Sequence, residues 1–145
     1  MTTQIDMTNV IDGLFSQLTG NSNFNTAIGG SVSSAGRVRY GQVDDRDLAM
    51  PFAVINLVSV NDFDSFTHDG YSAMIQLSIY SDAESSSARE NNVIADKARE
   101  RVHRQSITVS NHESMTSEVS QTRGPLREDN AWRTDFDLIL RGRRS

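Results

Sequence analysis

The sequence predicts an α+β layer: a mainly antiparallel sheet of four to five strands with two helices packed on one face. Three observations carry this. Residues 71–80 alternate, with Ala73, Ile75, Leu77 and Ile79 on one side and Ser72, Gln76, Ser78 and Tyr80 mostly on the other. Residues 131–140 alternate as well, Trp132, Thr134, Phe136, Leu138 and Leu140 against Arg133, Asp135 and Asp137, with Arg141 continuing the polar side. Period two is what a strand with one face on the core and one in water requires. Between these stretches Ala88, Ile94, Ala95, Ala98 and Val102 recur at helical spacing.

The remaining elements follow in order. Thr2 to Leu18 reads as a first helix, because Val10, Ile11, Leu14, Phe15 and Leu18 share a face. Asp6 or Thr8 can cap it, Gly20-Asn21 can stop it, and Gly13 weakens it. Asn21 to Gly36 is turn-rich, with one inward helical turn expected around Phe24, Ala27 and Ile28. Arg37 to Val43 reads as a short strand. Pro51 opens the next, which runs to Val60 and is apolar on both faces over much of its length. That pattern asks for helices on one side and a second cover on the other, such as a partner subunit. Asn61 to Gly70 reads as a long hairpin loop.

After the 71–80 strand, Ser87 and Glu90 have capping-box spacing at the start of a helix that runs to Arg104. Its outer face carries Arg89, Glu90, Asp96, Lys97, Glu100 and Arg104, with Glu100 and Arg104 in favourable i,i+4 order. Ile107 and Val109 start a strand or fill a connection. Met115 to Gln121 reads as a strand, Arg123 to Asn130 as a turn, and Gly142 to Ser145 as a basic tail.

Composition bounds the function. At 145 residues the chain reads as one domain, 1–145, able to bury about two thirds of its unfolded surface. A net charge of −5 argues against a protein whose main task is gripping phosphates. The absence of cysteine excludes disulfides and thiolate metal sites and fits a reducing compartment. No signal peptide and no apolar run near ~20 residues is present, so a soluble chain made in the cytoplasm, with no membrane partner, is expected.

Catalytic signatures are lacking. His68, His103 and His112 are not at i,i+3 or i,i+4 from one another, so no helical metal pair exists. His103 falls at or near a helix end, where a cation is favourable. The glycines near 29–36 lack phosphate-loop spacing, and Asp44, Asp45, Arg46 and Asp47 lack the glycine and distal glutamate of an EF-hand. No GxSxG element or RNP-type strand occurs. The expectation is no enzyme, no catalytic, cofactor or metal residue, and binding or assembly instead.

Several strings, taken with their order, resemble the tail terminator, or tail completion, proteins of long-tailed bacteriophages and gene transfer agents. They are the first helix ending near Leu18-Thr19-Gly20, the Met50-Pro51-Phe52-Ala53-Val54-Ile55 strand start and the Ile75–Tyr80 strand. The helix from Ser87 to Arg104 and the closing Trp132-Arg133-Thr134-Asp135-Phe136-Asp137-Leu138 strand complete the set. The resemblance implies a structural virion protein that forms a hexameric ring on the head-proximal end of the tail tube. The ring would end tube polymerisation, offer a surface for head–tail joining and let genome DNA pass through its lumen unread. Implied partners are further copies of the chain, the major tail tube protein and a head completion or connector protein.

Under this reading the loops Ser31–Arg37, Val43–Met50 and Asn61–Gly70 are the expected ring and tube contacts, with Arg37, Asp44, Asp45, Arg46, Asp47, Phe63 and Phe66 as the named interface residues. Two alternatives stand beside it. One is another neck component, an adaptor or stopper, which would bind the portal side. The other is a small ligand-binding or hydrolytic α+β domain, which needs a concave pocket with convergent polar groups.

Overall fold

The computed structural model describes residues 7–29, 38–41, 50–64, 69–84 and 87–144. In chain order the elements are α1 (Met7–Thr19), α2 (Ser22–Ile28), β1 (Val38–Tyr40), β2 (Phe52–Asp64), β3 (Asp69–Asp82), α3 (Ala88–Val102), β4 (Gln105–Ser106), β5 (His112–Glu128) and β6 (Ala131–Arg144). The six strands form one sheet in the order β1-β2-β3-β6-β5-β4. All pairings are antiparallel except β1 with β2. The expected α+β layer is therefore present, with three helices and six strands among the described residues where two and four to five were expected. The additions are short: the α2 turn, and the two-residue β4 that pairs with Thr116 and Ser117.

β3 and β6 hold the centre, in register from Gly70↔Arg143 to Asp82↔Ala131. Ala73, Ile75, Leu77 and Ile79 of β3 and Phe136, Leu138 and Leu140 of β6 are buried in one core with Val10, Leu14, Leu18, Phe24 and Ile28 of the first two helices. Ile94, Ala95, Ala98 and Val102 of α3 complete it. Two alanines in this stripe let α3 lie close against β3, β6 and β5.

Polar fastenings fix α3 in place. Asn91, fully buried in the apolar stripe, shares its amide N–H groups among the Ile79 carbonyl (3.2 Å), Ser81 Oγ (3.0 Å) and the Trp132 carbonyl (3.0 Å), while its Oδ1 accepts from Thr134 Oγ1. At the other end Ser117 Oγ donates to the Val102 carbonyl. Gln17 and Arg101 bond reciprocally, Gln17 Nε2 to the Arg101 carbonyl at 2.9 Å and Arg101 Nε to the Gln17 carbonyl at 3.0 Å, which locks α1 to α3.

Several local expectations need correction. Ser87 is the N-cap of α3, but its side chain makes no capping bond; only its carbonyl accepts, from Glu90 N–H at 3.1 Å. α3 ends at Val102, and Arg104 lies beyond it with φ 54°, so the Glu100–Arg104 pair does not form; Lys97 meets Glu100 at 3.7 Å instead. Asn21 does not merely stop α1. It caps α2, accepting from Phe24 N–H at 3.0 Å.

The 123–130 stretch is strand rather than turn. β5 runs to Glu128, and the reversal is confined to Asp129 and Asn130. A bulge at Gly124-Pro125 absorbs the residues that looked like a loop. Gly124 has φ +104°, and a Cβ there would stand 2.5 Å from the Arg133 carbonyl oxygen. Gly124→Ala is accordingly expected to lower the unfolding midpoint in urea. The strands also claim most of 61–70: β2 continues to Asp64 and β3 begins at Asp69, so Phe63 lies in a strand, paired with Gly70. A thirteen-residue β2 with a bulge between Leu57 and Ser59 explains why 52–60 did not alternate cleanly.

Gly13 has a packing reason. A Cβ at this position would sit 2.8 Å from the Thr108 carbonyl oxygen and 2.8 Å from Val109 Cγ2. The 107–109 connection, with Ile107 and Val109 buried, therefore lies directly on α1. Gly13→Ala should destabilise by about 1 kcal/mol in denaturant titration, overpacking outweighing the helix-propensity gain.

Candidate functional site

No group of three or more His, Asp or Glu side chains among the described residues is placed to hold a metal. His103 is the C-cap of α3, and its Nδ1 accepts from the Val119 N–H at 3.1 Å, tying the helix end to β5. His112 Nδ1 lies 2.7 Å from the Ser110 carbonyl, and its ring meets Tyr71 edge-on at 5.3 Å. Among the described residues no helix is long and apolar enough to cross a membrane.

The distinctive surface is the sheet face opposite the helices. Alternation puts Tyr80, Ser78, Gln76 and Met74 of β3 there, with Arg133, Asp135, Asp137, Ile139 and Arg141 beside them on β6. Charges in the middle of this face are paired across strands. Arg123 of β5 grips Asp137 with both terminal nitrogens, at 2.7 and 3.0 Å. Arg133 binds Asp135 at 2.9 Å and Glu128 at 3.1 Å. Ser78 donates to Asp135 at 2.6 Å, which buries a serine that faces away from the core. Arg133 also stands 5.3 Å over the Tyr80 ring, and Tyr80 stacks on Phe52 at 4.8 Å.

These contacts form a half-buried chain from Phe52 through Tyr80, Arg133, Asp135 and Ser78, with Arg123–Asp137 alongside. The Asp135 and Asp137 side chains are 14% and 18% exposed, so their partners are less screened than in open water. The hydrogen bond to Asp137 raises the pKa of Arg123. Burial works against the charge on Arg133, but the bonds to Asp135 and Glu128 outweigh it and push its pKa up. Both guanidiniums stay charged, so the network is a fixed brace and not a proton relay.

Apolar ground flanks the brace. Met74 pairs with Ile139 on one side and Ser59 on the other, and Val58 is the unpaired residue of the β2 bulge. Val58 and Met74 are exposed, as is Leu126 near the β5–β6 turn. Two clefts border the face. One of about 690 Å³ is lined by Met50, Phe52, Tyr80, Glu128, Asp129, Asn130 and Ala131. A smaller one of about 300 Å³ lies at the β4 edge between Arg104, Ile139 and Arg141.

Of the interface residues expected from sequence, Arg37, Asp44, Asp45, Arg46, Asp47 and Phe66 lie outside the described residues. So do the Ser31–Arg37 loop and all of Val43–Met50 except Met50. Phe63 is in β2 and not in a loop. Sequence reasoning missed Arg123, Ser78 and the pairing of Arg133 with Asp135. A signal was available: Arg133, Asp135 and Asp137 share one strand face and need opposite charges across from them. Reading Arg123 as part of a turn removed that partner from view.

No family model matches the chain, and no curated protein matches it. Among solved structures it is similar to a chain of the virion of a native gene transfer agent particle. The TM-score is 0.72 at 14% sequence identity, over 97% of this chain and 99% of that one. The two chains share a fold from end to end.

Proposed function

We propose that this protein is a structural component of a phage-like virion, and more closely a tail terminator that caps the head-proximal end of the tail tube as a ring. The observation that carries the reading is the end-to-end likeness to a gene transfer agent virion chain. That likeness spans 97% of this chain and 99% of the other. The order of elements that prompted the resemblance in sequence supports the same assignment.

The braced sheet face supports an assembly role rather than catalysis. The charges in its middle are paired within the chain, so that part can be covered by another protein surface without stranding unpaired ions. Capping then follows from asymmetry: one side of the ring matches the open end of the tube, the other differs, and growth stops. The ring also presents its second side to a head connector and leaves a lumen for the genome.

Electron microscopy of the purified protein mixed with tail tubes tests this. Six-fold rings at one tube end, with tube length fixed on their addition, are the expected result. Tubes that keep growing with bare ends overturn the capping assignment. Binding to portal or adaptor rings instead would move the protein to another position in the neck.

A further inference from the structure

The two turns of the β5–β6 ribbon region carry opposite charges at opposite ends. At one end the hairpin tip, Glu128-Asp129-Asn130, is exposed, and Leu126 just before it is 63% exposed. At the other end the cleft beside β4 has Ile139 in its lining and Arg104 and Arg141 at its rim. Glu118 meets Arg141 at 3.5 Å and offsets one of the two positive charges, so one cation is left over. At the tip, Glu128 is held by Arg133. Among the described residues neither Arg104 nor Asp129 is engaged in an ion pair. An unmatched anion beside an exposed leucine thus faces the same strand's far end, where an unmatched cation stands beside a half-buried isoleucine.

The tip cannot reach its own cleft. Ala131 and Arg141 lie on one continuous strand, which spans about 33 Å between them at the usual rise. β4 covers only Thr116 and Ser117 of β5 and His103 takes the Val119 N–H, so beyond Val119 no described strand pairs with the outer edge, and an incoming hairpin has backbone to lie along. We propose that the Glu128–Asn130 tip of one copy seats in the Arg104–Arg141 cleft of a second copy. Asp129 meets Arg104, and Leu126 covers Ile139. Because the two surfaces differ, the contact is head-to-tail, and repeating it closes a ring or extends a filament. The inference deepens the ring reading above and rests on it only for closure.

The backbone permits a clean test. Arg104 and Asp129 have nearly the same φ, 54° and 52°, so each residue is already tolerated in the conformation the other adopts. Sedimentation velocity would compare the full chain with Asp129→Asn, Arg104→Asp and the exchange pair R104D/D129R, with circular dichroism reporting folding. Each single variant should weaken self-association about tenfold, and the exchange should return it to within about threefold of the parent. Asparagine suits positive φ, so loss in Asp129→Asn reflects charge and not the turn. Equal association in all variants, a folded exchange pair that stays dissociated, or a parent chain that remains monomeric overturns the contact. Caps on tail tubes that ignore Asp129→Asn would sink this contact alone. Exchange-rescued association without any caps would sink the capping assignment alone.

Discussion

Replacing Asn91 with alanine is expected to lower the unfolding free energy by about 3 kcal/mol, the largest effect of any polar substitution in the chain. Its side chain is a buried hydrogen-bonded link between α3 and the ends of β3 and β6, meeting Ile79, Ser81, Trp132 and Thr134. Truncation strands the buried Ser81 Oγ and Thr134 Oγ1 and leaves a small void under the helix. The carbonyls of Ile79 and Trp132 lose a second partner as well. Thr134→Val alone removes one donor and should cost about 1 kcal/mol. In the N91A/T134V double variant both ends of that bond are removed together, so its loss should be smaller than the sum of the two singles. Urea titrations of the four proteins check this; strictly additive losses would mean that Asn91 does not act through Thr134.

Asn91 also shows where sequence stops being informative. The apolar stripe of α3 was legible because 3.6-residue periodicity is a local property. A polar residue inside that stripe reads as an interruption until the strands that bond it are in place. The same holds for Ser78, which alternation sends to the water side and which Asp135 draws into burial. The long alternating strands were readable for the same local reason, and so were the first helix and the inward turn at Phe24.

What failed was punctuation. Gly124-Pro125 and the polar segments 61–64 and 69–70 carry loop composition, yet they lie in β5 and at the paired ends of β2 and β3. A bulge is a tertiary solution to a local turn signal, and it depends on a partner strand far along the chain. The edge strand β4 was hard to read for a different reason, two residues being too few to show a period, whereas β1 falls inside the strand expected over 37–43. The candidate surface was half legible: its charges were visible on β6, their partners were not.

Asp135→Ala is expected to cost about 2 kcal/mol and to loosen the open sheet face. Asp135 is the joint of that face: it accepts from Ser78 Oγ at 2.6 Å and from Arg133 Nε at 2.9 Å while only 14% exposed. Hydrogen bonds to a charged group contribute more than neutral ones, and this carboxylate has two. Its removal leaves Arg133 with Glu128 alone, at a more exposed position, and frees the guanidinium to leave the Tyr80 ring. Ser78→Ala should cost less, about 1 kcal/mol, because Asp135 keeps its arginine. A salt titration separates this brace from an ordinary surface pair. The half-buried Asp135 contribution should persist in 1 M salt, where screening acts within about 3 Å, whereas the Lys97–Glu100 pair on α3 should contribute nothing measurable there. If the face is covered by a neighbour in the assembled particle, Asp135→Ala should also impair assembly at temperatures where the isolated chain stays folded. Loss of stability with assembly unchanged would mark the brace as a property of the monomer alone.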